Sequence, residues 1–135
     1  MNKICTSIEQ SKKLIELGID VNTADMHYYK NSFGDYIEGL YNSNDLKDGF
    51  ELKRIEYIPA WSLSALLELI PPYLGEFKDG IDFGFSKAMN SKWYSAHYIK
   101  INDNGLASFN KTVTGDTAID AAFEMVCWLK EDGKI

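Results

Sequence analysis

The sequence predicts an α+β fold, a small antiparallel β-meander packed on one face by N-terminal, short central and C-terminal helices. Three observations carry this. Two stretches, "GIDFGFSKA" and "SKWYSAHYIKI", alternate apolar and polar residues as half-buried strands do. The segment "TGDTAIDAAFEMVCWLKEDGKI" has helix-start chemistry, apolar residues over most of its circumference and a closing glycine. Finally, "PAWSLSALLELIPPYL" is nearly all apolar between its prolines. With 135 residues, 45% of them apolar and 25% charged, the chain has the size and balance of one globular domain spanning 1–135.

Taking the elements in order, Thr6 and Glu9 have the spacing of a capping box, and Ile8, Leu14, Ile15 and Leu17 supply an apolar stripe behind it. Gly18 fits the left-handed position that ends a helix, with Ile19 folding back onto Leu14. Residues 20–49 mix Asn, Asp, Ser and Gly with five aromatic rings and read as a loop, with a helical turn after Asn22 or Thr23 and a strand near Tyr36–Tyr41. "SNDLKDG" closes it as a turn; it lacks the alternating ligands and distal Glu of a calcium loop. Phe50 to Ile58 reads as a strand that Pro59 ends.

Ser62 can cap a helix over Leu63–Ile70, with Trp61 and Leu66 as a hydrophobic staple and Pro71–Pro72 as the stop. Two turns cannot cross a bilayer, and the thin polar stripe of Ser64 and Glu68 is not the Lys-rich face of a membrane-surface helix. This helix belongs in the protein interior.

For the hairpin, a three-residue loop at Met89-Asn90-Ser91 sets Ala88 against Lys92. Odd-numbered residues then share the core face: Ile81, Phe83 and Phe85 beside Ser95, His97 and Ile99, extended by Trp93 and Ile101. "NDNG" turns the chain into a third strand at Leu106–Lys111. Asp116 or Thr117 caps the last helix, Thr117 and Asp120 repeat the capping-box spacing, and Gly133 stops it.

Fourteen Lys and Arg against twenty Asp and Glu give a net charge of −6, which disfavours nucleic acid and anionic lipid as partners. No segment has the length of a membrane span or a signal-peptide core, so a cytoplasmic location is expected, with Cys5 and Cys127 as reduced thiols. His27 and His97 are the only histidines, and no metal-ligand spacing accompanies them, so neither a metal nor another cofactor is expected.

Catalytic chemistry has a thin inventory. Asp120 and Glu124, one helical turn apart, are one acid–base pair the sequence offers, and His97 is a third residue of interest. Their simpler reading is structural: acids at the positive end of a helix, and a neutral imidazole in a core. A glycine ahead of a helix start in "TVTGDT" has the position for an anion but not the further glycines or Lys of a phosphate loop. For binding, Tyr28, Tyr29 and Tyr36 stand in the aromatic loop. Lys92, Tyr94, Tyr98 and Lys100 fall on even positions of the hairpin, an outer face able to stack bases, although cross-strand packing accounts for the same pattern.

"EQSKKLIELGID" followed by "TADM", "PAWSLSALLELIP" and "TAIDAAFEMVCWL" together resemble a family of small uncharacterised proteins of bacterial genomes, prophages and other mobile elements. The resemblance implies a bacterial or phage origin and carries no activity with it. The function expected is therefore a non-catalytic interaction or regulatory module with a protein partner. The alternatives are a small enzyme with a carboxylate/His pocket and an acidic DNA-mimic inhibitor.

Overall fold

Residues 3–30, 33–40, 57–87 and 92–135 are described by a computed structural model of the chain. The fold is α+β, with helices and two antiparallel sheets, one of them a β-meander packed on a helix. Internal packing divides the chain into two compact units, Met1–Ala65 and Leu66–Ile135.

The first unit is built on α1 (Ile8–Glu16), a 3-10 turn (Val21–Thr23) and three strands, β1 (Met26–Lys30), β2 (Tyr36–Leu40) and β3 (Tyr57–Ala60), in the order β2-β1-β3. The capping box of α1 lies one residue later than expected. Ser7 accepts from the Gln10 N–H at 3.1 Å and the Gln10 side chain accepts from the Ser7 N–H at 3.0 Å. Thr6 does not cap because its hydroxyl is engaged elsewhere: it accepts from the Trp61 N–H at 3.0 Å and lies 2.8 Å from the Ser11 hydroxyl. The helix ends as expected, with Gly18 at a φ of 91° and the Ile19 N–H donating to Leu14 at 3.0 Å.

Three expectations about this unit need correction. Met26–Lys30, read as part of an aromatic loop, is the central strand of the sheet. Its Met26, His27 and Tyr28 are all buried, so no alternation marks it in the sequence. The helical turn spans Val21–Thr23 and so includes Asn22 rather than following it, because Asp20 caps it at 2.9 Å. The strand expected near Tyr36 is present as β2. Pro59 does not end β3 but lies within it, opposite His27; among the described residues β3 is an edge strand, where a missing N–H is tolerated. Residues 41–56, including the "SNDLKDG" turn and most of the strand expected from Phe50, lie outside the described residues.

Cys5, Met26, Tyr28 and Ala60 form the unit's apolar cluster, with Ile8 and Ile58 against it. Thr6, ahead of α1, is laced to the residue just after β3 by two bonds, Thr6 N–H to the Trp61 carbonyl at 2.9 Å and Trp61 N–H to the Thr6 hydroxyl. The Tyr28 hydroxyl donates to the Thr6 carbonyl at 2.7 Å, and the Trp61 indole donates to Thr23 at 2.9 Å.

The short helix α2 (Leu63–Leu69) is capped by Ser62, whose hydroxyl accepts from the Ala65 N–H at 3.2 Å. As expected it is interior: Ala65 and Leu66 are buried, while Ser64 and Glu68 are the exposed positions.

The second unit continues with β4 (Tyr73–Leu74), β5 (Ile81–Lys87), β6 (Tyr94–Ile101) and β7 (Ala107–Gly115), neighbours in that order, and α3 (Ala118–Glu131). α3 starts on the Thr117/Asp120 capping box and stops at Gly133, as the sequence indicates. It lies against β6 and β7 and buries Ile119, Phe123, Val126 and Leu129 among others.

The hairpin register is the principal correction. Phe83 pairs with Tyr98, Phe85 with Ala96 and Lys87 with Tyr94, one residue away from the register that a loop at Met89-Asn90-Ser91 dictates; that loop lies outside the described residues. A one-residue slip moves every β6 side chain to the other face. Odd residues of β5 therefore share a face with even residues of β6. Phe83 and Phe85 meet Tyr98, Ala96 and Tyr94 instead of Ser95 and His97, which brings more apolar surface together. This is the face α3 covers, with the Tyr98 and Trp128 rings 6.4 Å apart and the Lys111 ammonium 5.4 Å from the Trp128 ring centre. The third strand is also longer than expected and carries a bulge where Asn110 falls between the pairs Tyr98–Lys111 and Ile99–Phe109.

Enclosure of α3 has a measurable consequence. Leu129→Ala, at a fully buried position, is expected to cost about 3 kcal/mol, while Glu124→Ala on the exposed side changes stability by less than about 0.5 kcal/mol. Denaturant unfolding, with an unchanged slope, reads the difference.

Candidate functional site

The three residues considered for catalysis are not brought together. Asp120 belongs to the capping box of α3: its carboxylate accepts from the Thr117 N–H at 3.3 Å while its own N–H donates to the Thr117 hydroxyl at 3.1 Å. Glu124 follows one turn later and is exposed. His97 lies on β6, whose side chains alternate across the sheet; Tyr98, its neighbour, packs against Trp128 of α3, so His97 stands on the sheet face away from that helix. An acid–base arrangement needs its groups within hydrogen-bond reach of one reacting atom. A β-sheet separates these.

The helix start carries no phosphate-type cradle either. Gly115 is there for closeness: a Cβ on it would lie 2.7 Å from the Cβ of Asp120, so the strand end and helix start meet only with hydrogen at that position. The first-turn donor at Asp120 is already satisfied by Thr117.

His97 has a defined setting. Its ring lies across Gly84, directly opposite on β5, where any side chain would collide with the imidazole. Phe109 meets it edge-on at 5.6 Å, and the Ser95 hydroxyl is 3.5 Å from Nδ1. Burial holds its pKa below the ordinary 6.5, so the ring is neutral at physiological pH. Gly84 is the residue sequence reading missed here; a glycine inside an alternating strand was its one visible signal.

The aromatic residues considered for binding are distributed differently from expectation. Tyr28 is buried, its hydroxyl committed to Thr6. Tyr29 is half-buried on β1, and Tyr36 opens β2 opposite Lys30. Tyr98, expected on an outer stacking face, is 0% exposed, with its hydroxyl donating to the Pro71 carbonyl at 2.6 Å and burial raising its pKa to about 12. Tyr94 is half-buried beside Phe85, with Lys87 over its ring at 5.6 Å. Lys92 and Lys100 are exposed. The face bearing two tyrosines between two lysines is thus the inner one, and the base-stacking layout does not exist.

The outer face is instead set by the odd residues of β6. From one end to the other, Ser86–Ser95–Thr114 and Gly84–His97–Thr112 form cross-strand rows, followed by Asp82–Ile99–Phe109 and then Ile101–Ala107. At this last end Phe109 is 64% exposed, Ile101 59% and Leu106, just before β7, 64%. Three large apolar side chains around one turn stand in water. A shallow open concavity of about 390 Å³ at the same turn is lined by Lys100 to Asn104 and contains none of Asp120, Glu124 or His97.

Among the described residues, no group of three or more His, Cys, Asp and Glu is placed to hold a metal, and no helix is long and apolar enough to cross a membrane. Both cysteines are buried thiols. Comparison of the chain with models of protein families, with curated proteins and with solved structures found no match.

Titration tests the placement of the histidines. His27 is 4% exposed, its ring edge-on to Tyr57 at 5.3 Å; burial lowers its pKa, and Asp25 opposes this only in part. A histidine depressed in the folded state stabilises above the unfolded value of 6.5, and that contribution is lost as pH falls below it, because the unfolded chain takes up the proton more readily. Thermal unfolding measured from about pH 8 to about pH 5 is expected to show a falling midpoint that is shallower in His27→Gln than in the parent chain. Equal slopes in the two proteins contradict a desolvated His27.

Proposed function

We propose that this chain is a non-catalytic interaction module whose contact surface is the β6–β7 end of the second sheet, where Phe109 and Ile101 stand on the outer face and Leu106 lies in the adjoining turn. The observation that carries the reading is the exposure of three large apolar side chains around one turn. Single exposed hydrophobics are ordinary, but several large ones gathered at the end of a hairpin are the usual mark of a protein contact. A sheet face also supports such a surface better than a loop, since its side chains are fixed in register by the strand ladder. The separation of Asp120 and Glu124 from His97 supports binding over catalysis, because no reacting atom can sit within reach of all three. A cytoplasmic setting and service to a mobile element belong to the same proposal, the first supported by the lack of a membrane-length helix among the described residues and the second by the sequence resemblance.

Capture experiments with the tagged chain test it. A protein retained by the parent chain is expected to be lost from the double variant Phe109→Ser with Leu106→Ser, which leaves the unfolding midpoint within about 0.5 kcal/mol because both positions are exposed. The same protein is expected to stay bound to Glu124→Gln. Retention by the double variant, or loss on Glu124→Gln alone, places the contact elsewhere.

A further inference from the structure

We infer that Asn104, at the tip of the β6–β7 hairpin, modifies itself: its carboxamide condenses with the backbone nitrogen of Gly105 and hydrolyses to aspartyl and isoaspartyl products. Such a ring closure is fastest when the residue after the asparagine has no side chain, because a Cβ there crowds the approach of its nitrogen to the carboxamide carbon. Of the asparagines among the described residues, Asn22, Asn102, Asn104 and Asn110, only Asn104 precedes a glycine.

The turn favours the reaction in the folded chain. Gly105 has a φ of 81° and open space where a Cβ would stand. The Leu106 N–H donates to the Asn104 carboxamide oxygen at 3.2 Å, which draws the carboxamide back along the chain toward the Gly105 peptide. The same bond sets a donor on the oxygen that becomes negative when a nitrogen adds to Cγ. Residues Asn102 to Ser108 are all exposed, so water and base reach the site. One contact opposes: the Gly105 N–H donates to the Asn102 carbonyl at 2.8 Å and must let go before its nitrogen attacks. In an exposed turn that opening costs little.

Base takes the Gly105 amide proton, and the nitrogen adds to Cγ of Asn104. The Cγ–Nδ2 bond then breaks and Nδ2 leaves as ammonia with a proton from water, which regenerates the base and leaves a succinimide ring. Water opens the ring at either carbonyl. Breaking the nitrogen's bond to Cγ gives aspartate, and breaking its bond to the backbone carbonyl carbon gives an isoaspartyl link. Overall a water is consumed and an ammonia released. Either product adds a carboxylate beside Asp103, in the concavity lined by Lys100 to Asn104. The isoaspartyl form also routes the main chain through Cβ, lengthening the loop that Asn102 N–H closes on the Leu106 carbonyl at 2.8 Å. A change in partner binding as Leu106 shifts rests on the proposed function; the chemistry is read by mass without a partner, so either can fail alone.

Incubation of the folded full chain at about pH 7 and about pH 9, followed by peptide mapping, tests the inference, with circular dichroism as the check on folding. Labelling by an isoaspartyl methyltransferase distinguishes the two products. Replacement of amide by acid is expected at Asn104, faster at the higher pH, with Asn22, Asn102 and Asn110 intact. The folded rate is expected within about tenfold of the rate in urea, equivalent to an opening of about 1.4 kcal/mol. In urea, where turn strain plays no part, Gly105→Ala is expected to slow the conversion at least about tenfold. A folded rate more than about tenfold below the urea rate overturns the inference, because the bond to Asn102 then holds the Gly105 nitrogen back. Conversion without isoaspartyl product, or at an unchanged rate in Gly105→Ala, overturns it as well, since the acid then forms by direct hydrolysis and not through the ring.

Discussion

The pairing of Phe83 with Tyr98 settles most of what the second unit can do. A hairpin of two alternating strands has two possible registers by parity, and each assigns opposite faces to β6. In the one adopted, Tyr94, Ala96 and Tyr98 join Phe83 and Phe85 under α3, and the polar or mixed set of Ser95, His97, Ile99 and Ile101 is turned outward. Burial of Tyr98 is complete and its hydroxyl is satisfied by Pro71, so the face is held by both packing and a directed bond. Reversing the register would place a fully buried tyrosine in water and His97 and Ser95 under an apolar helix. The cost of burying polar groups without partners opposes that arrangement. The outward apolar group at Phe109 and Ile101 is a consequence of the same parity.

How much of this could be read beforehand follows the range of the forces involved. Helix ends were legible because capping is local: Thr117 with Asp120, Gly18 with Ile19, and Gly133 depend on residues within one turn. Interior placement of α2 and α3 was legible from composition, since few polar side chains remain to face water. The α+β class followed from these together. Register was not legible, because it depends on the count of residues in a loop and on which pair of faces buries more, both non-local quantities. β1 was missed for a related reason. A central strand buried at Met26, His27 and Tyr28 gives no period of two, and its tyrosines looked like loop anchors. The candidate site was less legible than the fold: Asp120 and Glu124 were not brought to His97, Ile101, read as core-facing, stands exposed, and neither Phe109 nor Leu106 was singled out for binding.

Thr6 shows how a tertiary contact overrides a correct local motif. "TSIEQ" contains two overlapping capping boxes, Thr6 to Glu9 and Ser7 to Gln10, equivalent by spacing alone. The structure uses the second because the Thr6 hydroxyl accepts from Trp61, 55 residues away, and contacts Ser11. Its backbone is equally engaged, giving an N–H to the Trp61 carbonyl and accepting from Tyr28. Three polar groups on one fully buried threonine are thereby satisfied by four contacts, which is what allows a polar residue at that depth. The first unit is organised around a polar knot as much as around its apolar cluster.

The acids of α3 illustrate why a carboxylate pair at helical spacing is weak evidence for chemistry. Asp120 closes a reciprocal pair with Thr117, so its oxygens are spent on a backbone donor at a place where the helix dipole already favours negative charge. Glu124 stands in water. A pair one turn apart becomes acid and base only when a cover desolvates one member and spares the other. Here the sheet covers the opposite side of the helix, the side of Phe123 and Val126, and leaves the acids to solvent and to capping. The same packing that makes α3 a good structural helix removes it from consideration as a catalytic one.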